Sequence, residues 1–256
     1  TGQVAIEPQN EYEMDLYFLP TLMNLPGEYC INTSFTLRES TIWADAGHEI
    51  AFGQYIFKRT SNLENMITEK KREMRIVHGD FNIGVHGEDF SILFSKQSGT
   101  LISVKYSGRE MIAIPPAPLF WRATTDNDRG FFQGYESGLW FGASLARKCI
   151  DIETIEEDNY MSISFSYKFS ISSKMNVQSI YKVSTNGNIQ VKSIYNGSEH
   201  LPPLPIFALT FKIPADYHML EWFAFGPEEN YEDRSKGARL GIFKNTVKEN
   251  VSEYVM

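Results

Sequence analysis

From Tyr160 to Phe169 the chain reads YMSISFSYKF, so Met161, Ile163, Phe165, Tyr167 and Phe169 alternate with Ser or Lys. An apolar set repeating every second residue cannot line one side of a helix. It lines one face of a strand, and a face this apolar must be buried. The same period recurs along the chain. Tyr29, Ile31, Thr33, Phe35 and Leu37 alternate with Cys30, Asn32, Ser34, Thr36 and Arg38, which puts one set inward. FNIGV, DFSILFS, TLISVKYS and REMIAI are short alternating runs parted by Gly87, Ser98-Gly99 and Ser107-Gly108, the spacing of antiparallel hairpins. Asn186-Gly187 sits between two further runs and predicts a type I′ turn, and Phe207, Leu209, Phe211 and Ile213 predict one side of a later strand. Pro115, Pro116 and Pro118 predict an end to pairing. Residues 131–148 predict a short helix with Leu139, Trp140 and Leu145 available for one face, weakened by three glycines. The class that follows is all-β. Neither alternating βα units nor a glycine-rich phosphate loop appears.

A length of 256 residues with 42% hydrophobic composition allows one large or two ordinary domains with ample core. No run approaches the roughly 18 apolar residues of a membrane span, so no spanning helix is expected. A net charge of −8 argues against a nucleic-acid partner, because phosphate binding needs clustered Lys and Arg. The opening TGQVAIEPQNEYEMD carries no basic and apolar leader, so no targeting signal is read there. Cys30 and Cys149 fall in different predicted domains and read as buried free thiols. Residues 59–75 lose the alternation and gather charge, which places a linker between a domain at 1–58 and a second at 76–256.

Two stretches run off apolar aromatic strands into crowded polar loops. In LFWRATTDNDRG (119–130), Arg122, Asp126, Asn127, Asp128 and Arg129 cluster before Gly130. In EWFAFGPEENYEDRSKGARL (221–240), Gly226-Pro227 breaks the strand, and Glu228, Glu229, Asn230, Tyr231, Glu232, Asp233 and Arg234 follow. Arg122, Asp126, Asn127, Asp128, Arg129, Asn230, Tyr231, Asp233 and Arg234 are the candidates for carbohydrate binding or for bracing the loops. Arg122 and Arg234 are expected to pair with Asp126, Asp128 or Asp233 and so tie the two loops together. No catalytic residue is assigned, since carboxylates adjacent in sequence usually point apart and serve as turn formers. No metal site is assigned either. Asp126-Asn127-Asp128 resembles the start of a calcium loop, but position 5 would be Gly130 and position 12 is not an acid. His48, beside Trp43, reads as a residue bracing a sheet end, and the other histidines show no metal-ligand spacing.

FWRATTDNDRG and GPEENYEDRSKGARLGIFKNTV, in register about a hundred residues apart, closely resemble the C-terminal domain of the large bacterial β-galactosidases of glycoside hydrolase family 2. FSILFSKQSGTLISVKYSGREMI is similar to that domain's opening strands, and WADAGHEIAFGQYIF to the end of the β-sandwich before it. The resemblance implies a partial immunoglobulin-like sandwich followed by a large antiparallel supersandwich of galactose-mutarotase type, truncated at its end. It implies a non-catalytic C-terminal fragment whose partners are the absent catalytic barrel and N-terminal domains of the same chain. In the parent it implies retaining hydrolysis of terminal non-reducing β-D-galactosides, magnesium as cofactor, and a cytoplasmic or periplasmic bacterial location. Two other readings stay open: a free-standing carbohydrate-binding module, and a mutarotase-like or lyase-like enzyme with its own acid and base.

Overall fold

The computed structural model describes residues 7, 9–13, 25–59, 73–228 and 230–250. Most of the expected linker, at 60–72, lies outside them. Strands account for 52% of the structure and helices for 9%, and the sheets are mostly antiparallel. The all-β class therefore stands. The chain forms two compact units, one of Thr1–Thr68 with Trp222–Phe243, the other of Glu69–Glu221 with Lys244–Met256.

In the first unit β1 (Gly27–Thr36) and β2 (Glu49–Arg59) form a hairpin. Its alternation is real, yet the face expected to point inward is only partly covered: Tyr29, Ile31 and Leu37 are half-buried, whereas Phe35 is 61% and Tyr55 is 66% exposed. A period of two decides which residues share a face, not whether anything covers it. No described residue before Ile83 belongs to the buried apolar set.

The second unit holds the core. β3 (Arg75–His78), β4 (Asn82–His86), β5 (Phe90–Ser95), β6 (Thr100–Tyr106) and β7 (Arg109–Glu110) form a five-stranded meander in sequence order, as the glycine punctuation predicts. Later, β9 (Lys148–Glu157), β10 (Tyr160–Phe169), β11 (Ser172–Ser184) and β12 (Ile189–Tyr195) form a four-stranded sheet with β10 and β11 central. Met161, Ile163, Phe165, Tyr167 and Phe169 are all buried, and so are Met175, Val177, Tyr181 and Val183 beside them. Phe94 of the meander meets Phe165 at 6.2 Å and Tyr181 at 5.5 Å between ring centroids, so two apolar faces close on each other. Tyr167 donates to the Gly99 carbonyl at 2.5 Å.

Three local expectations are corrected. β8 (Ile114–Leu119) contains all three prolines and still pairs with β13 (Ala208–Lys212), Leu209 opposite Pro118 and Thr210 opposite Ala117. This is a two-stranded sheet, and a strand with one neighbour tolerates proline because only half its backbone groups need partners. Phe211 and Ile213 are 52% and 45% exposed, so the predicted apolar side of that strand is not buried, although Phe207 packs on the core. At the hairpin between β11 and β12 only Gly187 has positive φ, +85°, whereas a type I′ turn needs two such residues. The loop closes by Gly187 N–H donating to Ser184 O and Ser184 N–H to Asn188 O, a tight turn followed by one left-handed residue. The Asn186 side chain accepts from the Ser184 hydroxyl and the Asn188 amide.

Cys30 and Cys149 are free thiols, half-buried rather than fully buried as expected. Burial pushes the Cys149 thiol above its ordinary range. No described helix is long and apolar enough to cross a membrane.

Candidate functional site

The first polar loop is anchored by Phe120, which is fully buried among Trp140, Phe169, Tyr195 and Phe207, with ring centroids 5.2 to 6.0 Å away. Its amide donates to the Ser144 hydroxyl at 3.0 Å. Trp140 donates from its indole N–H to the Pro202 carbonyl, and Ser137 from its hydroxyl to Pro203. This aromatic cluster fixes where the chain leaves the sheet.

Beyond it, the stretch read as a loop makes a turn of helix. α1 (Asp126–Gly130) starts at Thr125, whose hydroxyl accepts from the Asp128 amide while the Asp128 carboxylate accepts from the Thr125 amide. That reciprocal pair is a capping box, with Asp in the place usually held by Glu or Gln. Sequence reasoning missed it, although Thr-x-x-Asp is its signature. α2 (Gln133–Glu136) and α3 (Leu139–Leu145) follow. The short helix expected in this region thus comes in two pieces. Its buried side is Trp140 and Ala143, while Leu139 and Leu145, the other expected members, are 38% and 73% exposed.

Asp128 is 9% exposed. Arg122 donates to its Oδ1 at 3.0 Å and the Thr125 amide to its Oδ2 at 3.0 Å. With the Gln133 amide nitrogen turned toward it, Gln133 donates to both oxygens, at 2.8 and 3.2 Å. The carboxylate is saturated by donors, as a structural acid should be. Asp126 and Asn127 are exposed, and no described residue pairs with the Asp126 carboxylate. Arg129 donates to the Thr124 carbonyl at 3.2 Å. The expected Arg122 pairing is therefore present, made within its own loop.

The second polar loop follows β14 (Met219–Gly226) and a cis Gly226-Pro227 bond. Asn230 donates to the carbonyls of Phe225 and Glu228 at 2.8 and 3.1 Å, closing the turn with its side chain. A 3-10 turn covers Glu232–Gly237, capped by Tyr231 in extended conformation, before β15 (Arg239–Thr246). The side chains of Asp233 and Arg234 lie outside the described residues, and so does the tie expected between the two loops.

Sequence reasoning singled out neither Glu49, Gln54 nor Arg239, which hold β15 to the hairpin. Gln54 accepts from the Leu240 amide at 2.8 Å and donates to the Leu240 carbonyl at 2.8 Å, so one side chain mimics a strand neighbour. It also donates to Asn32 Oδ1 at 2.7 Å. Arg239 pairs with Glu49 and stacks 3.7 Å above the Phe52 ring. Hydrogen bonds from Ser34 and Arg239 hold the Glu49 carboxyl below its ordinary value.

Trp121 and Trp222 serve packing as expected, Trp121 against the core and Phe141, Trp222 against Phe243. His48 sits edge-on to Trp43 at 5.5 Å. Among the described residues no three His, Cys, Asp or Glu side chains come together as a metal site.

The chain is thus a mostly antiparallel all-β protein in which the one buried acid of its first polar loop, Asp128, is saturated with internal bonds. Residues 86–256 match the β-galactosidase small chain family, and residues 1–58 match domain 4 of β-galactosidase. The chain belongs to the β-galactosidase small chain family. It is 51% identical over 259 residues to a β-galactosidase of Halalkalibacterium halodurans, covering 98% of this chain and 25% of that protein. A Clostridium acetobutylicum β-galactosidase is 42% identical, with 95% and 27% covered. A β-galactosidase small subunit of Latilactobacillus sakei is 31% identical over 195 residues, 68% of this chain and 61% of that subunit. The chain spans about a quarter of the length of the first two.

Proposed function

We propose that this chain is the non-catalytic C-terminal part of a retaining β-galactosidase of glycoside hydrolase family 2, buttressing a catalytic barrel encoded outside these residues. The reaction of the whole protein is then hydrolysis of terminal non-reducing β-D-galactosides, with magnesium held by residues not in this chain. Retention needs two carboxyl groups about 5 to 5.5 Å apart, one protonated and one free to attack. The observation that carries the reading is the state of Asp128. The most buried acid of the first polar loop accepts from Thr125, Arg122 and Gln133, so both of its oxygens are taken up by donors of its own loop and the helices after it. The partial coverage of the long relatives and the likeness to a β-galactosidase small subunit of Latilactobacillus sakei support the same view.

A supporting surface is at hand in residues 131–145. Phe131, Phe132, Tyr135 and Leu145 are each more than 70% exposed on an otherwise well-packed unit. Exposed apolar clusters of this kind mark surfaces that other protein covers. The test is the complete gene. An upstream barrel of about 250 residues bearing paired acids fits the reading, and a gene of some 256 codons ends it.

A further inference from the structure

The first unit contains a pocket of about 460 Å³, within the usual range of small-ligand sites. It lies where the hairpin meets β15, on residues that neither polar loop's candidates include. Phe243 and Pro227 supply apolar lining and Asn32, Gln54 and Arg239 the polar lining. Phe243 is seated against two glycines: a Cβ would lie 2.8 Å from its ring at Gly226 and 3.3 Å at Gly241. Its position is therefore set by backbone.

The polar wall is equally set. Gln54 spends its amide on Asn32 and on both backbone groups of Leu240. Asn32 accepts through Oδ1, and its Nδ2 donors have no partner among the described residues. Arg239 gives Nη2 to Glu49, and its other N–H groups have no hydrogen-bond partner among the described residues. The pocket thus offers spare donors held in place by spent ones. Because Glu49 offsets the Arg239 charge, the wall carries no net charge to reward an anion.

We infer that this pocket binds a neutral pyranose sugar, with hydroxyls accepting from Asn32 and Arg239 and the C–H face of the ring on Phe243. Amphipathic ligands of that kind need a few placed donors beside an aromatic surface. The site is independent of the buttress reading, which stands whether or not sugar binds here.

The test is titration of the 256-residue chain with D-galactose, lactose and sodium sulfate, followed by calorimetry and by amide shifts. Two variants report on the pocket. Asn32→Ala removes the free donors, and loss of one hydrogen bond predicts about two- to tenfold weaker sugar binding. Gly237→Leu fills space, since a Cβ at Gly237 meets nothing within 4 Å, and binding should vanish with the fold intact by circular dichroism. Saturable sugar binding that both variants weaken supports the site. Absence of saturable binding, binding that neither variant changes, or binding of sulfate alone overturns it.

Discussion

Replacing Asp128 with Ala removes the acceptor of the buried Thr125 amide, the partner of Arg122 and the target of Gln133. The bond from the Asp128 amide to the Thr125 hydroxyl uses the backbone and survives the change. Orphaning an amide on a residue only 7% exposed adds about 1 to 2 kcal/mol. The ion pair adds less than about 1 kcal/mol, because the Arg122 side chain is 34% exposed and screened. Destabilisation of about 2 kcal/mol follows, which for a domain of this size lowers Tm by about 4 to 8 °C. Near-UV circular dichroism is the assay, since Trp140, Tyr167 and Tyr181 are buried in the same unit. Asp126→Ala is the control, two positions away and exposed, and should cost less than about 1 kcal/mol. In a double-mutant cycle with Arg122→Gln, the Arg122 change should cost less once Asp128 is gone. Equal effects of the Asp126 and Asp128 changes would refute the assignment of Asp128 as a structural acid.

Other predictions follow from single residues. Gly187→Ala puts a side chain at φ +85°, 2.8 Å from the Phe90 ring, and should destabilise by about 2 to 4 kcal/mol in urea unfolding; a loss under about 0.5 kcal/mol contradicts the turn geometry. Burial pushes the Glu110 carboxyl up, but donation from Ser103 at 2.5 Å and from the Val104 and Ile112 amides brings it below its ordinary value. A lowered carboxyl stabilises the fold above the unfolded pKa of about 4.3 and loses that effect as pH falls through the folded value. The urea midpoint gap between the chain and its Glu110→Gln variant should therefore be widest at pH 7 and close below about pH 4, and a gap independent of pH speaks against it. Burial holds the Tyr167 and Tyr181 phenols well above the ordinary value of about 10. Stability should then fall as pH rises past about 10, where only the unfolded chain ionises them, and their absorbance at the phenolate band should appear with unfolding rather than before it.

What the sequence made legible was local. Alternation at 161–169 and glycine punctuation at 87, 99 and 108 led to the central strand and the meander, because strand faces and tight turns are written in neighbouring residues. The Arg122–Asp128 pair was within reach for the same reason, lying six positions apart. What stayed hidden depends on partners distant in the chain. Gln54 and Leu240 are 186 positions apart, and nothing near either one announces that a glutamine will stand in for a strand. Pro118 looks like a strand breaker until β13 turns out to be the only strand paired with β8 among the described residues. Phe35 and Phe211 obey the period of two and remain uncovered, since the pattern says nothing of what packs on top.

The proposed buttressing role requires that these residues break no glycosidic bond by themselves. Purified chain, free of host enzyme, should release no nitrophenol from nitrophenyl β-D-galactoside above the buffer rate, with or without magnesium. Steady turnover that disappears on changing an acid within the chain would contradict it.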